Sequence, residues 1–303
     1  MSHRTTAPQL SSTTSNLWHF RLGCAVWAYK GWLGNFLPAS TRSADMLRCY
    51  AQRMQTVEGN SFFYAVPSTR TLERWVEQTP DTFRVCPKIP REISHRPQLA
   101  PQLDAARRFL DHLFEGLGPR LGPVFLQLPP SHAPSQGPDL ARLLNGLRRH
   151  TDHPLLVEVR HADWYVRHNS DRLDTLLYRL DLGRVILDTR AIYSGSDDPQ
   201  ADNPRKKPKL PHYAGAPGQM VIVRFIAHPH DDRNLQFLTE WAGVVHRWLG
   251  TGKEVYFFVH CPDETHSPRH ARTFQALLEA RGAPVPPLPW NDLPDEPQQV
   301  GLF

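Results

Sequence analysis

Cysteine is scarce: there are four in 303 residues, Cys24, Cys49, Cys86 and Cys261, far apart and with no CxxC pair among them. That excludes a disulfide-stapled or zinc-ribbon scaffold and fits reduced, mostly buried thiols in a cytoplasmic protein. Long apolar runs are missing too. No stretch approaches the roughly 20 apolar residues that cross a bilayer, so no membrane partner is expected. Residues 1–18 are polar and rich in Ser and Thr, without the apolar core of a secretory leader, and read as a disordered lead-in. No glycine-rich GxGxxG turn follows the first apolar run and no HExxH occurs, which removes the usual sequence marks of a dinucleotide fold and of a zinc protease. Nor does one sign of charge dominate. With 35 basic and 30 acidic residues the net charge is +5, too small a surplus to identify a polyanionic partner.

What is present is a repeated pattern of short apolar runs that end abruptly in charge. The clearest is LLVEVRHADW, Leu155 to Trp164; TVEGN, FRVCPK, VFLQL, VILD, VIVRF and VYFFVH repeat it from Thr56 to His260. Runs of strand length, apolar throughout, are what parallel strands buried on both faces look like. Helical periodicity fills the gaps. Leu103, Ala106, Leu110, Leu113 and Leu117 recur on one stripe, as do Leu173, Leu176, Leu177 and Leu180 behind Ser170 as cap, and Leu235, Leu238, Trp241, Val245 and Trp248 behind Asp231 or Asp232. Eight strands follow, each but one with a helix after it. The exception is the stretch from Ala191 to Gln219, rich in Pro, Gly, Asp and the basic run RKKPK, which predicts a long irregular loop after strand six. The expected fold is a single (β/α)8 TIM-type barrel over residues 19–282 with a Pro-rich tail over 283–303; an open doubly wound sheet is the alternative.

Six blocks sharpen this expectation. GCAVWAYKGWLGNFLP, VEGNSFFYAVPS, FRVCPKIPREISH, LGPVFLQLPPS, VEVRHADW and CPDETHSPRHA resemble, in order and spacing, the blocks of the YecE-like family, across Arg21 to Leu278. The resemblance implies a TIM-barrel type of fold and no settled activity. Many relatives carry an Asn-Asn pair after strand eight, where this chain has His260 and Cys261.

In such barrels the active site lies at the C-terminal ends of the strands. Those ends carry Trp27, Glu58 with Asn60, Lys88, Gln127, Glu158 with Arg160 and His161, Asp188 with Arg190, Arg224, and His260 with Asp263. Glu58 and Glu158 are candidates for acid/base work, with His161 and Asp188 as catalytic or positioning groups. Strands four and seven end in Gln127 and Arg224, so the pair of carboxylates a barrel glycosidase draws from those strands is missing. Lys88, Arg160, Arg190 and Arg224 suit a phosphate or carboxylate, and Trp27 and Tyr64 could stack on a ring. Glu158, His161, Asp188 and His260, or the HPHDD run at His228 to Asp232, offer oxygen and imidazole ligands to a divalent metal. The expectation is an enzyme acting on an anionic, phosphorylated or sugar-like substrate, with Trp27, Asn60, Tyr64, Lys88, Gln127, Arg160, Arg224 and His260 holding it. Two alternatives stand beside it: a nucleic-acid-binding or nucleic-acid-processing protein using Lys206, Lys207 and Lys209, and a non-catalytic scaffold whose mouth is plugged by its own ion pairs.

Overall fold

The computed structural model describes residues 19–197, 199–201 and 206–293. The expected lead-in, Arg205 of the basic run and the end of the Pro-rich tail with Phe303 lie outside the described residues. Eight parallel strands form the sheet: β1 (Phe20–Cys24), β2 (Thr56–Gly59), β3 (Arg84–Pro87), β4 (Val124–Gln127), β5 (Leu155–Glu158), β6 (Gly183–Asp188), β7 (Met220–Ile226) and β8 (Glu254–His260). Their order is β3-β2-β1-β8-β7-β6-β5-β4. At the remaining seam two bridges, Val85 to Leu121 and Lys88 to Phe125, with amide bonds from Ile89 to Phe125 O at 2.9 Å and from Gly122 to Val85 O at 2.8 Å, bring β3 against β4 and nearly close the cylinder. The doubly wound alternative is thereby excluded.

The helices lie outside: α1 (Met46–Ala51), α2 (Thr69–Gln78), the short turn α3 (Arg91–Ser94) with α4 (Leu103–Leu117), α5 (Gly137–Arg148), α6 (Arg167–Arg179), α7 (Asp232–Gly250) and α8 (Ser267–Ala280). α4 buries its expected stripe of Ala106, Leu110, Leu113 and Leu117, because apolar spacing near 3.6 residues presents one continuous face to the sheet; α7 buries Leu238, Trp241 and Val245 of its stripe, with Phe237 beside them, and leaves Leu235 exposed. Between β6 and β7 a 3-10 turn, Ala191–Tyr193, is the only helical element among the described residues, as the missing periodicity there predicts. The caps differ. α6 begins at Arg167, so Ser170 lies inside it and its hydroxyl accepts from buried Arg184 at 3.0 Å. Asp231 precedes α7 without a capping bond and pairs with Arg269 at 2.9 Å. Of the tail, Trp290 docks edge-on against Phe36, 4.9 Å between ring centres, under Arg272.

Inside the cylinder Cys86, Phe125, Leu156, Val185, Ile222, Tyr256 and Phe258 form one apolar plug. Successive side chains on a strand point to opposite faces, so the inward residues of the next layer lie two positions further on. They are Lys88, Gln127, Glu158, Leu187, Arg224 and His260, joined by Glu58 of β2. A polar ring therefore sits directly on an oily floor. At the β1–β2 contact the backbones are so close that a Cβ on Gly23 would stand 2.0 Å from Thr56 O, and only glycine fits.

Candidate functional site

Arg224 is the hub of that ring and is 1% exposed. Its Nε and Nη2 donate to the two oxygens of Glu58 at 2.7 and 2.8 Å, and its Nη1 donates to Glu158 Oε2 at 2.7 Å. Arg160 closes the other side of Glu158, with Nε on Oε1 at 2.5 Å and Nη2 on Gln127 Oε1 at 2.9 Å. Lys88 Nζ donates to Asn60 Oδ1 at 2.6 Å and Gln127 Oε1 at 3.1 Å and stands 3.4 Å from Glu58. His260 Nε2 lies 2.8 Å from Glu58 Oε2.

These contacts decide the protonation states. Burial by itself would push Glu58 up, but Arg224, His260 and Lys88 hold its carboxyl well below the usual range. Burial opposes ionisation of Glu158 too, and Arg160 and Arg224 bring it down to about 2. Burial lowers His260 to about 4, so the ring is neutral near pH 7 and donates its Nε2 proton to Glu58. Lys88, buried and next to Arg224, is lowered to about 7. Both carboxylates are thus fixed as counter-ions, and each is available as a proton donor only in strong acid.

Above the ring lies an open cavity of about 490 Å³ walled by Asn60, Phe63, Tyr64, Lys88, Arg91, His95, Gln127, Arg160, Lys207, Arg224, His260 and Glu264. The scaffold alternative foresees paired carboxylates, which are found, and a closed mouth, which is not. A second cavity, about 610 Å³, shares the walls Phe63, Tyr64, Arg91 and His95, and Tyr64 between the two is 66% exposed. The long loop after β6 folds over the mouth. It is tied down by Thr189 Oγ1 to Pro208 O at 3.1 Å, by Lys207 N to Gln200 Oε1 at 2.8 Å and by Tyr193 OH to Lys207 O. Lys207 is thereby turned inward; burial, then Arg224 and Arg160, lower its ammonium to about 8.

Of the expected residues, Glu58, Asn60, Tyr64, Lys88, Gln127, Glu158, Arg160, Arg224 and His260 come together here. Asp188, Arg190, His161 and Trp27 do not line the cavity. Asp188 follows inward Leu187 by one position and so faces outward, where it accepts from Trp241 Nε1 of α7 at 2.7 Å and from Arg190; Arg190 in turn reaches Glu240 at 2.6 Å. His161 Nδ1 accepts the Asp163 amide at 3.2 Å at the start of a 3-10 turn. Trp27 packs edge-on against Trp75 of α2, 4.9 Å between centres. The metal set drawn from Glu158, His161, Asp188 and His260 is therefore not assembled, since its members face different ways and Glu158 is enclosed by arginines. Of the HPHDD run, His228 and His230 converge with Asp197 from the loop after β6, with ligand atoms within 4.8 Å of one another, and Asp231 and Asp232 are not in the set. There, however, His228 Nδ1 accepts the His230 amide at 3.1 Å. A neutral ring then carries its proton on Nε2, the atom that faces Asp197 Oδ2 at 3.2 Å.

Lys207, expected only as a nucleic-acid contact, stands on the cavity wall, and the residues overlooked are Glu264, Arg91 and His95. Lys207 was hidden in a run that reads as a solvated basic loop, and Glu264 stands next to Asp263, the acid expected at this end of β8. Asp263 instead caps a 3-10 turn by accepting from Thr265 N at 3.0 Å. Glu264 lies within the block CPDETHSPRHA, yet nothing in residue order turns it or Lys207 toward the cavity; each is brought in by a loop.

Residues 21–294 match the family model described as "Protein of unknown function DUF72". The chain belongs to that family. The UPF0759 protein YecE of Escherichia coli K12 is 31% identical over 285 residues, 93% of this chain and 99% of that one, so the YecE-like resemblance in the sequence holds. YunF of Bacillus subtilis, also UPF0759, is 26% identical over 133 residues, 42% of this chain and 47% of its own length. Solved DUF72 structures share the fold: one from Enterococcus faecalis has a TM-score of 0.63 at 18% identity over 86% of this chain and 97% of its own, and one from Thermotoga maritima a TM-score of 0.62 at 18% over 86% and 99%. The family names carry no activity. No helix among the described residues is long and apolar enough to cross a membrane.

Proposed function

We propose that this DUF72 protein is an enzyme whose substrate is a small anionic compound, phosphorylated or sugar-like, bound in the cavity over the polar ring. The observation that carries this is Lys207. It lines the cavity, partly buried, and its ammonium has no acceptor among the described residues, so its charge there is incompletely solvated. Arg160 lines the same cavity, its Nε and Nη2 spent on Glu158 and Gln127 and its Nη1 without a bond among the described residues. Glu58 and Glu158 are already neutralised by Arg224, Arg160 and Lys88, so neither offsets the surplus. An oxyanion would complete the set, and a volume of about 490 Å³ falls within the usual range for small-molecule sites. Glu58 and Glu158 then hold Arg224 and Arg160 in place, Asn60, Gln127 and Lys88 fix the floor, and Phe63 and Tyr64 flank a ring or sugar. The four free cysteines support placing the chain in the reducing cytoplasm.

The test is a thermal-shift and calorimetric screen with sulfate, inorganic phosphate and sugar phosphates on wild type and Lys207→Met. A ligand present at about 100 times its Kd raises apparent stability by about 2.7 kcal/mol. Wild type should show such a rise and Lys207→Met should lose at least about tenfold in affinity, the equivalent of about 1.4 kcal/mol. Anion binding indifferent to Lys207, or none at all, would overturn the proposal.

A further inference from the structure

One carboxyl group, Glu264, lines the mouth cavity, and it differs from the two buried in the ring beneath. Glu58 and Glu158 are clamped by arginine; Glu264, on the cavity wall, forms an ion pair with no Lys, Arg or His of the described residues. It opens the 3-10 turn Glu264–His266 that follows β8. Trp32 Nε1 holds its backbone carbonyl at 2.7 Å, and its Oε2 accepts from Ser267 Oγ at 2.6 Å. The side chain is therefore built in and not a solvated surface acid. The titratable groups facing it are Lys207 from the loop after β6, Glu58 from β2, Cys24 from β1, Tyr50 from α1 and Cys261 just after β8, and Lys206 shares the cavity wall. Burial holds the Cys24 thiol and the Tyr50 phenol far above their ordinary values and pushes Cys261 up to about 12, so all three are neutral. The charged groups that act on it most are one cation and one anion, Lys207 and Glu58. Burial, with Glu58 adding to it, pushes Glu264 up to about 7 against the Ser267 hydrogen bond and Lys207.

We propose that Glu264 is the proton-exchanging group of the anion site, donating its O–H to an oxygen of the bound oxyanion and ionising when that ligand leaves. This rests on the anion site proposed above. The physical reason is that an ionised Glu264 would share the cavity with a dianion, two like charges in a poorly solvated space, and the cheaper state keeps a proton between them. Binding then takes up one proton from solvent wherever free Glu264 is ionised and ligand-bound Glu264 is not. The ligand class follows: an oxyanion, such as a phosphate, sulfate or carboxylate, that offers an oxygen to a neutral carboxyl on one side and to Lys207 and Arg160 on the other.

Sulfate is the probe, because its own charge is constant from pH 6 to 9. Its Kd is measured by calorimetry across that range for wild type and Glu264→Gln, which is neutral at every pH and keeps a donor. Lys88 and Lys207 lose charge over the same range, so affinity falls with pH in both proteins and only the difference reports Glu264. The two should agree within about twofold near pH 6, and the variant should bind about tenfold more tightly near pH 8, the effect of one linked proton over about one pH unit. In wild type at about pH 8, infrared difference spectra should show a neutral-carboxyl C=O band growing as sulfate is added; this second measurement decides the matter if the variant fails to fold. A constant ratio of affinities, or no such band, overturns the role of Glu264 while the anion site stands. Absence of sulfate binding to wild type at every pH overturns both.

Discussion

Replacing Arg224 by Met tests whether the polar ring is the electrostatic unit described above. The change removes three charge-assisted hydrogen bonds, two to Glu58 and one to Glu158, and leaves both carboxylates fully buried. Breaking a buried ion pair from one side costs about 3 to 5 kcal/mol, mostly the penalty of an uncompensated charge. Glu158 keeps Arg160, and Glu58 keeps Lys88 and neutral His260, so the loss belongs in that range and not at twice it. With an unfolding entropy of about 2.1 cal/mol/K per residue, such a loss lowers Tm by roughly 5 to 8 °C. The pH dependence is the more searching part. Glu158 has a folded pKa of about 2, depressed from its unfolded value, so its contribution is present above about pH 4.5 and disappears as pH falls toward 2. Part of that depression comes from Arg224. The difference between wild type and Arg224→Met should therefore be largest near pH 7 and shrink on acidification, as the carboxylates of the variant protonate first. The triple variant Glu58→Gln, Glu158→Gln, Arg224→Met, which removes all three charges together, should recover much of the stability. Denaturation midpoints followed by circular dichroism from pH 7 to 4 are sufficient. A gap that stays constant with pH, or a single variant as stable as wild type, would refute the electrostatic account of the ring.

Asp188→Asn separates structural from ligand-binding carboxylates. It loosens the bond from Trp241 and the Arg190 fork and should cost about 1 to 3 kcal/mol of stability, with sulfate affinity unchanged; a fall in affinity comparable to that of Lys207→Met would put Asp188 back in the site. Gly23→Ala places a methyl 2.0 Å from Thr56 O, backbone that cannot yield without parting β1 from β2. It should destabilise by at least about 2 kcal/mol, and a variant with an unchanged melting curve would show that this strand pair is not held so closely.

Much of the architecture could be read from residue order. Apolar runs ending in polar side chains at Glu58, Lys88, Gln127, Glu158, Arg224 and His260 mark where strands stop, and the absence of helical period between Ala191 and Gln219 marks the one missing helix. Alternation on strands was equally visible, and it would have turned Asp188 outward, since Leu187 continues the inward series through Val185. His161 and Trp27 lie beyond their strand ends, where alternation no longer applies. Their neighbours, the Asp163 amide and the Trp75 ring, are set by loop geometry.

By itself the sequence determined the family, the barrel and the ring of charges at the strand ends, because these follow from periodicities of two and 3.6 residues that local chemistry imposes. The tertiary structure alone decided which charges cancel. Glu58, Glu158 and Arg224 lie on strands far apart in the chain, and only closure of the cylinder brings their side chains within 3 Å and makes counter-ions of both acids. The same closure, with two loops folded over it, leaves Lys207 and Glu264 on the cavity wall without an ion-pair partner among the described residues, a property that depends on which partners are within reach and not on either residue's place in the sequence.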